Sequence, residues 1–323
     1  MIGDWEPDFF ILANIGASGS FVFYDSLLPH IATPKEVDQV STAGYALGYL
    51  GGGLVLAVNL LWIMKPNVFG MSDPETAMRW SFLSVAVWWA LFSIPLLRKV
   101  PEPPGARFRA GHPIKIAFGR LASTFRELRT YRQAFLLLVG FLIYNDGIGT
   151  IIRMTSVYGA EIGLESSTMV AAILMVQFLG IPFTFAFGAL SSKVGPKNSI
   201  LFALSIYVVV AVLAYRMTTA REFFILAGLV AIAQGGCQAL SRSLFASLIP
   251  SERASEFFGF FAVAEKFSGV AGTGIFAFLV AATGSGRAAV LSIVAFFVVG
   301  GFFLMAVDVE EGRSHLTAPP EQD

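Results

Sequence analysis

Charged side chains are scarce: they make up 14% of the 323 residues, against about 25% in a soluble domain. Such a chain has too little polar surface to cover a water-soluble body. Cysteine is nearly absent. The one thiol, Cys237, lies inside an apolar run, which excludes an internal disulfide and a cysteine-rich metal site. His30, His112 and His315 are far apart and share no ligand spacing, so nothing calls for a metal or another cofactor. Neither sign of charge dominates. The 22 basic and 22 acidic residues cancel, and no basic stretch is large enough to fold as a soluble module, which argues against nucleic acid as a partner. No Asn-x-Ser/Thr sequon occurs. Met1–Asp8 holds three acids and no Lys or Arg, so the basic start of a secretory signal is missing.

What is present is hydrophobic length. Apolar residues make up 55% of the chain, and the mean hydropathy is +0.70. They come in runs of about 20, the length that crosses about 30 Å of hydrocarbon. Nine spans are read, at 9–31, 41–64, 79–97, 133–156, 168–190, 199–217, 223–247, 256–281 and 288–307. The expected fold is therefore an all-α membrane protein with about nine transmembrane helices in a lipid bilayer. The seventh and eighth spans are rich in Gly and other small residues, which suits close helix packing.

One segment differs. Arg98 to Arg132 holds nine basic residues, Arg98, Lys99, Arg107, Arg109, Lys115, Arg120, Arg126, Arg129 and Arg132, opposed only by Glu102 and Glu127. Its front, Pro101–Pro113, should be irregular. Its back, Ile114–Tyr131, carries Ile114, Ala117, Phe118, Leu121 and Phe125 at helical spacing, which fits a basic amphipathic helix on a membrane surface or a solvated linker. The positive-inside rule makes this loop cytoplasmic, and alternation across nine spans then puts the C-terminus inside. A cell membrane, the inner membrane of a bacterium, is the expected setting. The chain divides into three spans over 1–97, the basic linker at 98–132, six spans over 133–307 and a cytoplasmic tail at 308–323.

Polar residues are not spread evenly. The cores of the third, sixth and ninth spans, Phe82–Leu97, Ile200–Tyr215 and Ala289–Val307, are almost purely apolar, as if every third helix packed outside the bundle. The others carry Asn14, Asp25, Asn145, Asp146, Gln177, Gln234, Gln238, Arg242, Glu265 and Lys266. Such groups are costly in hydrocarbon, so the helices that bear them should face inward.

Several stretches are distinctive together: Gly44-Tyr45-Ala46-Leu47-Gly48-Tyr49-Leu50-Gly51-Gly52-Gly53, Leu142-Ile143-Tyr144-Asn145-Asp146-Gly147, Tyr158-Gly159-Ala160-Glu161, Gln234-Gly235-Gly236-Cys237-Gln238-Ala239-Leu240-Ser241-Arg242-Ser243 and Glu256-Phe257-Phe258-Gly259. In this order the chain resembles the unknown major facilitator family, the branch that includes the vacuolar amino-acid effluxer of autophagy. The resemblance implies a major facilitator-type helical bundle, with six helices on each side of a basic loop, and solute transport with amino acids as suggested cargo. Against that layout this chain reads as three helices of the N-terminal half and all six of the C-terminal half. The first three, with an aromatic-Asp-Trp-Ala-Asn stretch in the first, find no counterpart. The superfamily loop Gly-x-x-x-Asp-Arg/Lys-x-Gly maps onto Gly188–Gly195 with Ser192 in place of the acid.

Depth selects the candidate site. At 1.5 Å per residue, Asn145, Asp146, Gln234, Gln238, Glu265 and Lys266 fall near the midplane, where transporters bind solute. Asp146 reads either as a proton-coupling or ammonium-binding carboxylate or as a permanent ion pair, with Lys266 as its partner. Glu265 and Lys266 point about 100° apart. One arrangement turns Lys266 to the cavity and Glu265 to a neighbouring helix; the other makes both part of a structural lock. Gln234 and Gln238 share a face and can bind a polar solute or join helices. Arg242, near the cytoplasmic end, reads as a gating or structural ion pair able to snorkel to the interface, and Asp25 as a residue of the headgroup region. Gly44, Gly48 and Gly52 read as packing residues. The functional expectation is a secondary transporter of a small polar solute, with amino acids as the candidate cargo and protons as the candidate coupling ion. The alternative is a truncated or split transporter without activity of its own. An enzyme is disfavoured, since no His-Glu-x-x-His, Gly-x-Ser-x-Gly or paired intramembrane Asp motif occurs.

Overall fold

A computed structural model of the chain describes residues 6–102, 113–161 and 163–317. Among the described residues there are thirteen α-helices and no strand, and the chain is an all-α membrane protein. Eight helical segments are long and apolar enough to cross a membrane, or nine if 289–305 and 309–316, bent by 52°, count as one. The first span is α1 (Glu6–Ser26) with the short α2 (Leu28–Ile31). The second and third are α3 (Val37–Met64) and α4 (Pro74–Lys99). After α5 (Pro113–Leu128) come α6 (Arg132–Glu161), α7 (Ser166–Val194), α8 (Pro196–Ala214) and α9 (Ala220–Ala246). The eighth span is broken into α10 (Ala254–Phe267) and α11 (Val270–Thr283), and α12 (Gly286–Met305) and α13 (Val309–Thr317) complete the chain.

Local chemistry sets the helix starts. Asp73 caps α4, its Oδ1 accepting the Thr76 amide at 2.7 Å, with Pro74 in the first turn. Thr219 and Glu222 form a capping box on α9, satisfying donors that a helix start leaves open.

The core lies in the second part of the chain. Tyr144, Phe245, Phe257, Phe258 and Phe261 are all fully buried. Phe141 stacks on Phe261 at 4.1 Å and Tyr207 on Phe297 at 5.1 Å between ring centres, geometries that add to plain area burial. The first part joins this body through α3, which packs on α7 and α9, and through α1, which packs on α10. The outer position expected of every third span fits α4, where none of the apolar window is buried. It does not fit α8, where 39% is buried against 22% in α7. The physical reason is that an apolar surface is as content against protein as against lipid tails, so composition alone does not mark the lipid-facing helices.

At one end of the bundle α5 docks onto α10. The Thr124 hydroxyl donates to Glu256 Oε2 at 2.5 Å, and Arg253 bridges Glu127 and Glu256, each at 2.6 Å. Leu128 is buried, while Leu121 and Phe125 are exposed. Arg107 and Arg109 lie outside the described residues, as do the side chains of Ile114, Ala117 and Phe118. At the same end Gln133 ties α13 to α6, donating to Glu311 at 2.6 Å and accepting the Asp308 amide at 2.9 Å.

Candidate functional site

Arg242 of α9 is met by α1 and α3. Its Nη1 donates to Asp25 Oδ1 at 2.8 Å, its Nε to Ser41 Oγ at 3.0 Å and its Nη2 to the Ser41 carbonyl at 3.2 Å. The guanidinium also lies over the rings of Tyr45 (4.8 Å) and Tyr24 (5.6 Å). Only 6% of the Arg242 side chain and 10% of that of Asp25 are exposed. Both side chains are thus enclosed by protein rather than reaching out to solvent. The pair is inside, and the aromatic faces and Ser41 supply the contacts that water would otherwise give. Gly44 permits the approach, since a Cβ there would stand 3.4 Å from both Arg242 Nη2 and the Tyr24 hydroxyl. Glu265, half-buried on α10, lies within electrostatic reach of Asp25 and Arg242. Lys266, the next residue, acts on Glu265 as well. A turn further on, Asp38 of α3 accepts the hydroxyls of Ser191 (2.5 Å) and Ser243 (2.6 Å), tying α3 to α7 and α9. A carboxylate from α3 thus reaches the Gly188–Gly195 stretch, which forms the end of α7, although Ser192 stands in place of the motif's own acid.

A second centre is the break in the eighth span. Gly269, at φ 77°, takes the left-handed conformation that the break requires. The new helix start at α11 is capped by Asp146, which accepts the Gly272 amide at 2.5 Å and the Ala271 amide at 3.3 Å. The end of α10 is met by Arg153, whose Nη1 donates to the Ser268 carbonyl at 2.5 Å. The Ser268 hydroxyl donates to the Asn145 carbonyl. An anion thus sits on the positive end of one half-helix and a cation on the negative end of the other. Asp146 is turned to backbone amides, and Lys266 is not its partner.

A third centre is a cavity of about 260 Å³ walled by α6, α7, α8, α9 and α12. Gln177 and Gln234 line it, and Gln234 also hydrogen-bonds Tyr49 of α3. The Tyr49 ring lies over Gly180 and Gly235, and a Cβ at Gly235 would come within 2.7 Å of it and clash with Thr184. Gly235→Ala should therefore cost about 1–3 kcal/mol by overpacking. A lowered thermal midpoint of the purified protein checks this; an unchanged midpoint would mean that α3 and α9 are not in contact there.

The residues singled out in the sequence thus divide among three places rather than one chamber. Asn145 and Asp146 belong to the broken span, Gln234 to the cavity, Arg242 and Glu265 to the charge cluster. Gln238 is half-buried on α9, one turn from Arg242, and Lys266 is exposed. Of the two, Glu265 is the more buried, within electrostatic reach of Asp25 on α1 and Arg242 on α9, while Lys266 is exposed rather than turned to a cavity. Gly52 meets Gln177 at 3.4 Å, but a Cβ at Gly48 would touch nothing, and Gly53 makes the tighter contact at 3.3 Å to Gln177 and Phe178. Sequence reasoning missed Tyr24, Ser41, Tyr45, Tyr49 and Arg153, and the pairing of Asp25. A signal for that pair existed: Asp25 and Arg242 are opposite charges read at the same end of their spans.

Comparison with known proteins follows from this architecture. The sequence pattern of the vacuole effluxer Atg22 like family matches residues 7–317. An uncharacterized MFS-type transporter of Bacillus subtilis, YxiO, is 36% identical over 304 residues, which are 94% of this chain and 71% of that protein. Autophagy-related protein 22 of Yarrowia lipolytica is 28% identical over 309 residues, 85% of this chain and 51% of that one. The chain thus spans about half the length of that fungal relative. Among solved structures, a bacterial homolog of the human lysosomal transporter Spinster, inward-facing and unoccupied, aligns with 92% of this chain and 75% of that one, at TM-score 0.49 and 14% identity.

Proposed function

We propose, from the premise that the chain belongs to the Atg22-like vacuole effluxer family and so to the major facilitator-type transporters, that it moves a small zwitterionic solute such as an amino acid across a cell membrane, coupled to protons, with its C-terminus cytoplasmic. The observation that carries this reading is the charge cluster where α1 and α3 meet α9 and α10. Charges at such a junction hold one arrangement of the two parts, and alternating access requires that arrangement to open. Asp25 holds Arg242 in a direct ion pair, while Glu265 makes none among the described residues and feels Lys266 and Arg242 only at longer range, so Glu265 is the carboxylate left to take a proton or meet a solute ammonium. A solute carboxylate can in turn replace Asp25 on Arg242, so a zwitterion is the species that compensates both halves of an opened pair. Asp146 is satisfied locally, and its proposed part is to hold the broken span rather than to meet the solute.

The test is flux of labelled amino acids in proteoliposomes with and without a pH gradient. Saturable flux, stimulated by the gradient, is expected. Glu265→Gln should keep the flux and lose most of the stimulation. Flux no greater than in protein-free liposomes, for every amino acid and either gradient, would remove the reading.

A further inference from the structure

The cavity in the second part of the chain plays no part in the charge cluster, and its shape points to a ligand of its own. Its α9 wall is Phe223, Leu226, Ala227, Val230 and Gln234, positions that fall on one helix face and span about 16 Å at 1.5 Å per residue. A volume of about 260 Å³ spread over that length leaves the width of one alkyl chain, too narrow for two chains or a fused ring system. The lining is apolar for nearly the whole length, and the two amides Gln177 and Gln234 close its deep end.

The other end leads to a polar space. Tyr158 lines both this cavity and a second one of about 420 Å³, formed with Glu161, Thr218, Gly284, Ser285 and Arg287. There the Tyr158 hydroxyl donates to the Ala214 carbonyl at 3.0 Å and is bonded by Arg287. Glu161 Oε1 is turned to the first amide of α12, Gly286, at 3.3 Å. Arg287 is exposed and belongs to none of the four ion pairs of the described residues. The polar end therefore offers a cation outside those ion pairs, directly beside a narrow apolar channel, with the Glu161 carboxylate of the same cavity engaged by the Gly286 amide.

We propose that these two cavities form one binding site for a single-chain amphiphile with a carboxylate head, the head held by Arg287 at the polar end and the chain lying along α9 toward Gln234. This goes beyond the transport reading and does not rest on it, because neither Asp25, Arg242 nor Glu265 lines the site. Apolar burial supplies the affinity, and the guanidinium discriminates the charged head from a neutral one.

The probe is dodecanoate bearing a photoreactive group, crosslinked to the full chain in detergent and mapped by mass spectrometry. Label is expected on the stretches 223–234 and 169–177. Excess unlabelled dodecanoate should suppress it at least tenfold, and dodecanol far less. Arg287→Gln, a change at an exposed position that leaves the core intact, should erase the preference for dodecanoate over dodecanol. Ala227→Trp, which fills the channel, should reduce labelling at least fivefold with the thermal midpoint retained. Label scattered over exposed helices such as α4 without competition, or equal suppression by dodecanoate and dodecanol in the unsubstituted protein, would overturn the proposal. Labelling unchanged in both variants would do the same. Since none of these readouts is a flux, their failure leaves the charge-cluster account standing, and the reverse also holds.

Discussion

Arg242→Ala is expected to abolish flux and to lower the unfolding free energy by about 3–5 kcal/mol, the cost of leaving the partner of a buried pair uncompensated. The guanidinium satisfies Asp25 on α1, both the hydroxyl and the carbonyl of Ser41 on α3, and the faces of Tyr24 and Tyr45. Removing it strands the Asp25 carboxylate, of which 10% is exposed, beside a second carboxylate, Glu265. No other cation among the described residues pairs with Asp25. Arg242→Lys separates charge from geometry. An ammonium keeps the charge, but it is a compact donor without the planar fork that serves Asp25 and both Ser41 atoms at once. Stability should recover in part while flux stays at least tenfold below that of the unsubstituted protein. If Arg242→Ala unfolds at the same midpoint and transports normally, the cluster is neither a structural junction nor part of the path.

Asp146→Ala is the second large expected effect, a loss of about 2–3 kcal/mol, because the buried Gly272 amide and the neighbouring Ala271 amide of α11 lose their acceptor. Asp146→Asn keeps a carbonyl oxygen in the same place and should cost about 1 kcal/mol. The sequence alone made Asp146 a candidate proton carrier, for which Asp146→Asn abolishes any response to a pH gradient. The geometry gives it a different task. Its oxygens lie on the Gly272 and Ala271 amides, and Arg153 holds the opposite half-helix through Ser268, so the carboxylate fixes the bend. Flux of Asp146→Asn should therefore keep its gradient response, measured as the ratio of flux with and without the gradient, even where its absolute rate falls. A variant with an unchanged thermal midpoint but no gradient response would return the proton to Asp146.

Much of the architecture was legible because hydrophobic length is a direct consequence of bilayer thickness. The nine apolar runs all fall on helical segments, the eighth on two, α10 and α11, and the five distinctive stretches, taken together in their order, carry the resemblance to the family. The break in the eighth span left a trace in Ser268-Gly269, a dipeptide that ends helices, but an apolar run of 26 residues hides it from a hydropathy window. The site was less legible. Depth along a helix can be counted from its ends, and Asp146, Glu265 and Gln234 were placed near the midplane that way. Direction around the helix axis is set by tertiary packing, and it sent Asp146 to α11, Glu265 to α1 and Lys266 outward. Asp25 was discounted because it sat near a span end. Its burial comes from α10 and α9 folding over that end, a contact some 200 residues away in the chain that no local pattern announces. Tyr45 and Tyr49 lay inside the glycine-rich motif, where the glycines, not the rings, drew the reading.

A buried ion pair between Asp25 and Arg242 joins the first part of the chain to the second. A double-mutant cycle on unfolding in mixed micelles, with Asp25→Asn, Arg242→Gln and both together, measures that pair directly. A coupling of about 2 kcal/mol or more is expected, with the double variant less destabilised than the two single changes summed. Single effects that add to within about 0.5 kcal/mol would mean that the two side chains do not meet, and the junction described above would be wrong.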